Sequence, residues 1–255
     1  NVKTALDGLD NIADAPQDAE EGRTYMRRER LEGRFELRDV MFRYDEEGAP
    51  TLDISGVALN AGQSVAVLGT NGSGKSTLLK ILSGLYAPTS GRVLIDGTDM
   101  NQIEPRDLRR LIGYLGQDVR LFSGSLRDNL NLNMLERDDG RLMDALDFAG
   151  LGQFVKTHPK GLDLMIHDGG AGLSIGQRQS IGWARLWLQD PAICLLDEPT
   201  ASLDPTSSEV IEELALTRKK HQTLLWVTHD PKQAERIADI SLTFESGRLL
   251  SNNPV

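Results

Sequence analysis

The sequence predicts an α/β domain built around a mainly parallel sheet, and three observations carry that prediction. Short apolar runs recur at VAVLG (65–69), IGYLG (112–116), ICLLD (193–197) and LLWVT (224–228), each followed by polar residues. Apolar runs without alternation suit strands covered on both faces. Helical patterns lie between the runs, so strand, loop and helix repeat along the chain. Period-two stretches near both ends add short antiparallel pieces.

In order, NVKTALDGLDNIADAPQDAEEG (1–22) opens with Val2, Leu6, Leu9 and Ile12 at helical spacing and decays into an acidic linker containing Pro16. RTYMRRERLEGR reads as a basic, solvated stretch. Phe35, Leu37, Val40, Phe42 and Tyr44, punctuated by charges, read as edge β-structure. VAVLG is a buried strand, 69–77 a loop, and STLLKILSGL a helix expected to turn Leu78, Leu79, Leu82 and Leu85 inward. Residues 138–190, with LMDALDFAGLGQFV and QRQSIGWARLWLQ, form a mainly helical insertion between strands. ISLTFESGRLLS closes as a hairpin around Ser246 and Gly247.

Composition narrows the function. The 255 residues can bury a substantial core, and a net charge of -10 denies the chain a basic footprint for nucleic acid. The single cysteine, Cys194, excludes an internal disulfide and reads as a small buried hydrophobe. His158, His167, His221 and His229 lack metal-ligand spacing. Trp183, Trp187 and Trp226 read as core or interface. No apolar run approaches the roughly 20 residues needed to cross a bilayer.

Chemistry enters with GTNGSGKST, which fits G-x-x-x-x-G-K-[ST] between an apolar strand and an amphipathic helix. Its glycines let backbone N–H groups curl round phosphate oxygens, and the helix directs its positive end at the same charge. Lys75 would reach the β- and γ-phosphates, and Ser76 would ligate Mg²⁺. ICLLDEPTASLD then supplies Asp197 at a strand end to hold the ion, and Glu198 to orient or deprotonate water.

These motifs resemble those of the ATP-binding cassette (ABC) ATPases, over about 34–250. GTNGSGKST looks like Walker A, ICLLDE like Walker B with its catalytic glutamate, and GLSIGQRQ (172–179) like the signature motif. The resemblance implies a P-loop NTPase (RecA-like) core with an antiparallel β subdomain and an inserted helical subdomain at about 121–188, all within 34–255. It makes 1–33 a linker from a preceding transmembrane domain. ATP and Mg²⁺ are the implied cofactors. ATP would be held by Gly69, Thr70, Asn71, Gly72, Ser73, Gly74, Lys75, Ser76 and Thr77, with adenine stacked on Tyr44. Mg²⁺ would involve Ser76, Asp197 and Gln117, the Q-loop glutamine; His229 would be the switch histidine. From a second copy, packed head to tail, would come Ser174, Gly176 and Gln177, with Asp204 of the D-loop also crossing between copies.

Exporter-type cassettes are the most similar branch. Asp168 in MIHDGGAGLS takes the place of an acid that contacts the membrane domain, with Gly169 where a basic residue is usual; a plain surface acid is the equal alternative. GQFVKTHPKGLDL and GAGLS are most similar to ATPases of bacterial type I secretion of toxins and adhesins. That implies a motor at the cytoplasmic face of the inner membrane, a membrane domain before Asn1, and a membrane fusion protein and outer-membrane channel as partners. A cassette exporting lipids or small molecules, a soluble non-transport cassette and a regulatory cassette without turnover are the alternatives. Ile175 departs from the signature pattern. Ser174 and Gln177 satisfy the S-x-x-Q capping box, which makes Ile175 the first helical residue, where a side chain is tolerated.

Overall fold

The apolar runs assemble into a ten-stranded sheet in the computed structural model, which describes residues 24–132, 136, 138–201, 203, 205–218 and 222–255. The strands are β1 (Phe35–Phe42), β2 (Leu52–Leu59), β3 (Ser64–Gly69), β4 (Ser90–Ile95), β5 (Thr98–Asp99), β6 (Ile112–Leu115), β7 (Gly124–Ser125), β8 (Met165–Ile166), β9 (Ile193–Asp197), β10 (Thr223–Val227), β11 (Ile240–Glu245) and β12 (Arg248–Pro254). The helices are α1 (Lys75–Leu82), α2 (Pro105–Leu111), α3 (Leu126–Leu130), α4 (Asp139–Phe148), α5 (Gly152–Thr157), α6 (Ile175–Gln189), α7 (Pro205–Arg218) and α8 (Pro231–Ile237). Among the described residues, no helix is long and apolar enough to cross a membrane.

Sheet order is β5-β4-β1-β2-β12-β11-β3-β10-β9-β6, with β7 and β8 forming a separate pair. The five strands from β11 to β6 run parallel to one another. β5, β4, β1 and β2 pair antiparallel. The two halves meet through a single pair, Arg248 of β12 with Asp53 of β2. Ser246 and Gly247 both take positive φ, which suits the tight turn between β11 and β12.

Two apolar cores explain the unbroken hydrophobicity of the parallel strands. Leu195 and Leu225 face one core, together with Leu78, Leu79 and Leu82 of α1. Their neighbours Leu196, Leu224 and Trp226 face the other, under α4 and α6. Each fully buried leucine contributes about 1.5–3 kcal/mol of hydrophobic stabilisation. Cys194 and Trp183 are buried in the second core, and Trp187 packs at its margin.

Three sequence expectations need correction. Leu85 does not turn inward: it is 60% exposed. Helix α1 ends in a Schellman motif, with Gly84 N–H on Ile81 O and Leu85 N–H on Lys80 O, so Leu85 lies past the helix. The stretch from Phe35 is not at an edge, because β1 is paired on both sides, and its alternation breaks between Arg38 and Met41. The basic run is not simply solvated. Arg27 Nε and the Arg28 N–H donate to Asp107 Oδ2 at 2.9 and 2.8 Å, and Leu31 enters the first core. Their partner lies about 80 positions on, where local charge patterning cannot find it. The expected helix within 1–22 falls outside the described residues.

Candidate nucleotide site

The phosphate loop leaves β3 at Gly69 and enters α1 at Lys75. Gly74, the N-cap, has φ +99°, and a Cβ there would sit 2.6 Å from Leu52 Cδ2 and 2.8 Å from Thr51 O. Only glycine fits, so the loop can lie against the start of β2. Lys75 Nζ donates to the carbonyls of Gly69 and Thr70, both at 2.9 Å, spanning the concavity of the loop. Burial pulls the Lys75 ammonium below its usual range, against the pull of Glu198 and Asp197. No acidic residue occupies the first turn of α1, so its positive end is free to meet an anion.

At the end of β9, Asp197 is buried and accepts from Ser76 Oγ at 3.1 Å through Oδ1. Tyr114, on β6, approaches its other oxygen: the phenol lies 3.4 Å from Oδ2. Burial pushes the Asp197 carboxyl up, partly offset by the Ser76 bond. Burial and the adjacent Asp197 charge push the Tyr114 phenol well above its ordinary range, so it is a donor. Glu198 is in the left-handed region at φ +50°. His229 Nε2 lies 2.5 Å from Glu198 Oε1, and the Gln117 amide donates to Oε2 at 3.4 Å.

Tyr44, Asn71, Gly72, Gly74, Lys75, Ser76, Thr77, Gln117, Glu198 and His229 line one cleft of about 560 Å³. The Tyr44 hydroxyl is 3.0 Å from Thr77 Oγ1, and its ring meets Phe42 and Tyr86 edge-on, leaving the residue 54% exposed at the cleft rim. Within the loop, Ser73 is buried and Thr70 is exposed. Ser76 and Asp197 offer hard oxygens side by side, a donor set that fits Mg²⁺ together with phosphate oxygens. The structure brings Gln117 to Glu198 rather than to this oxygen pair.

Ser174, Gly176 and Gln177 do not line the cleft. Ser174 caps α6, accepting from the Gln177 N–H at 3.1 Å, while Gln177 Oε1 accepts from the Ser174 N–H at 2.9 Å. The capping box is therefore present, and Ile175, the first helical residue, points to solvent at 57% exposure. Asp168 is exposed and Gly169 adopts φ +66° in an open turn. Asp204 lies outside the described residues. Sequence reasoning missed Tyr114. Its signal was present, since a strand residue two places from another apolar position shares that residue's face, but nothing marked that face as meeting Asp197.

A strand, a glycine loop and a helix, with a buried aspartate bonded to the loop serine, define a P-loop NTPase. The chain belongs to the ABC transporter family, whose model matches residues 52–201; this is an ATPase family. It is 33% identical over 253 residues to the ATP-dependent lipid A-core flippase of Methylococcus capsulatus, covering 96% of this chain and 41% of that one. It is 32% identical over 240 residues to the ABC transporter ATP-binding protein YfiC of Bacillus subtilis, covering 94% and 39%. Among solved structures, a bacterial Atm1-family ABC exporter with ATP bound matches with a TM-score of 0.88 and 26% identity, over 98% of this chain and 43% of that chain. The chain thus spans about two fifths of the length of these relatives.

Proposed function

We propose that the chain is the ATP-hydrolysing motor domain of an ABC exporter, working as a head-to-tail dimer at the cytoplasmic face of a membrane. One observation carries this reading. The cleft gathers Lys75, Ser76, Gln117, Glu198 and His229, while the capped signature turn at Ser174 stands outside it with its helix end exposed. A second copy would complete each site, its Ser174, Gly176 and Gln177 meeting the γ-phosphate and its Asp204 crossing alongside.

In this reading Tyr44 stacks on adenine, and the residues from Gly69 to Thr77 hold the phosphates, with Lys75 turning from its own loop to the β- and γ-oxygens. Mg²⁺, held by Ser76 and Asp197 with Gln117 nearby, would offset phosphate charge. Glu198 orients a water for in-line attack on the γ-phosphorus and takes its proton as the bond to the β-phosphate oxygen breaks. His229, beside Glu198, keeps that carboxylate aimed and contacts the γ-phosphate. Loss of γ-phosphate contacts then loosens the dimer. The test is ATPase rate against protein concentration. Specific activity should rise with concentration, and Ser174→Arg should abolish the rise without weakening nucleotide binding to the monomer. A flat profile in the parent protein would exclude two-chain sites.

For cargo, the local similarity of 152–164 and GAGLS supports type I secretion of a large protein, with residues 1–33 linking to a membrane domain and with a membrane fusion protein and outer-membrane channel as partners. The similarity to lipid A-core flippases favours a second reading, export of a lipid or small amphiphile. Stimulation of ATPase activity by lipid A in vesicles, with no response to the C-terminal part of a secreted repeat protein, would select the second; the reverse would select the first.

A further inference from the structure

Glu198 is a non-glycine residue in the left-handed region, at φ +50°, immediately after the buried strand β9. Such a conformation persists only where the surroundings over-determine it. Four sets of bonds do so here. The Glu198 N–H donates to Val227 O at 3.2 Å, and Glu198 O accepts from the Ala201 N–H at 3.2 Å. Thr200 Oγ1 accepts from Gln233 Nε2 at 3.0 Å; the same amide donates to Glu212, which Arg236 grips with two nitrogens at 2.9 and 3.0 Å.

The fourth set comes from the signature helix of the same chain. Gln179, only 3% exposed, donates through Nε2 to the carbonyl of Pro199 at 3.2 Å. Trp183, one turn further along α6, aims its indole N–H at the same carbonyl at 3.5 Å. Gln179 lies five residues from the N-cap Ser174, about 7.5 Å along the helix axis. The exposed turn at one end of α6 and the backbone directly after Glu198 are therefore attached to one short, rigid rod.

We propose that Gln179, assisted by Trp183, is a positioning residue for Glu198, and that it couples two nucleotide sites. When the signature turn of one chain engages ATP held by a second copy, α6 shifts and resets the Pro199 carbonyl, and with it the aim of the chain's own Glu198. The coupling part rests on the dimer reading above. Neither side chain touches nucleotide; both act through the peptide that follows the catalytic carboxylate.

The test uses Gln179→Met with Trp183→Phe, which removes both donors; the first keeps side-chain bulk and the second leaves a smaller ring, for which Trp183→Phe alone is the control. Steady-state ATPase of the intact protein is measured over a range of ATP concentrations, beside fluorescent-ATP binding and thermal melting. The expected result is a kcat lower by about tenfold with KM and nucleotide affinity unchanged, and a Hill coefficient falling to about one. Trp183→Phe alone, which keeps the shorter bond, should retain most of both properties. A double variant with parental kcat and cooperativity overturns the proposal. So does one that loses kcat in proportion to its melting temperature while staying as cooperative as the parent. A parent protein that is itself non-cooperative, with concentration-independent specific activity, overturns the dimer reading first and this coupling with it.

Discussion

The phenol of Tyr114 lies 3.4 Å from Asp197 Oδ2, on the side of the carboxylate opposite the Ser76 hydroxyl. Asp197 is thus held by a donor at each oxygen, one from the phosphate loop and one from β6. Tyr114→Phe frees one oxygen and lets the carboxylate swing. A long hydrogen bond of this kind contributes toward the lower end of about 0.5–1.5 kcal/mol. The Mg²⁺ concentration for half-maximal ATPase should rise by about threefold, with melting temperature little changed. An unaltered Mg²⁺ titration would remove Tyr114 from the site.

Replacing Glu198 by Gln keeps the shape of the side chain but removes its capacity to accept a proton. Turnover should fall by at least about 100-fold, the lower end of what general bases contribute. The ATP-bound dimer should accumulate. Rate assays and size-exclusion chromatography with ATP read the two effects, and parental turnover would show that another group acts on the water.

Ile175 occupies the first turn of a properly capped helix and faces solvent. It is absent from the positive-φ residues, so its Cβ carries no strain there. Ile175→Gly should therefore change ATPase by less than about threefold, equivalent to under about 0.7 kcal/mol. A tenfold gain would mean that the isoleucine obstructs the opposing nucleotide.

Asp107 gives a pH-dependent prediction. Burial alone would raise its carboxyl, but the Arg28 N–H, the Arg27 side chain and the charges of Arg27 and Arg110 outweigh that, so it titrates below its usual range. A depressed folded value contributes stability above the ordinary carboxylate range, lost as pH falls through the folded value. Asp107→Asn should cost about 1–2 kcal/mol at neutral pH. In acid below both values the two proteins should melt alike. A penalty that persists there would assign the loss to packing.

Much of the fold was legible because its signals are local. Unbroken apolar runs such as ICLLD mark strands with a core on each face, and Ser174 with Gln177 marks a helix start within four residues. The phosphate loop was legible for the same reason: all its parts are contiguous. What stayed hidden depends on residues distant in sequence. Arg27 gave no sign of Asp107, Tyr114 none of Asp197, and Gln179 none of Pro199. Leu85 was misread because helical periodicity continues past Gly84, although the chain turns there. The edge reading of β1 failed because alternation reports which faces are covered and not how many neighbours a strand has.

In the strand ladder the two plates of the sheet join at one pair, Arg248 with Asp53, while the apolar core beneath is shared by both. The phosphate loop is tied to that joint: Gly247 N–H donates to Ser73 O at 3.1 Å, and Gly247 O accepts from the Asp53 N–H at 2.8 Å. A Cβ at Gly247 would stand 2.5 Å from Thr51 O, so no other residue can occupy the joint without prying it apart. Any twist at this joint would therefore reach the phosphate loop through these backbone bonds, and a nucleotide held by the loop would stiffen the joint.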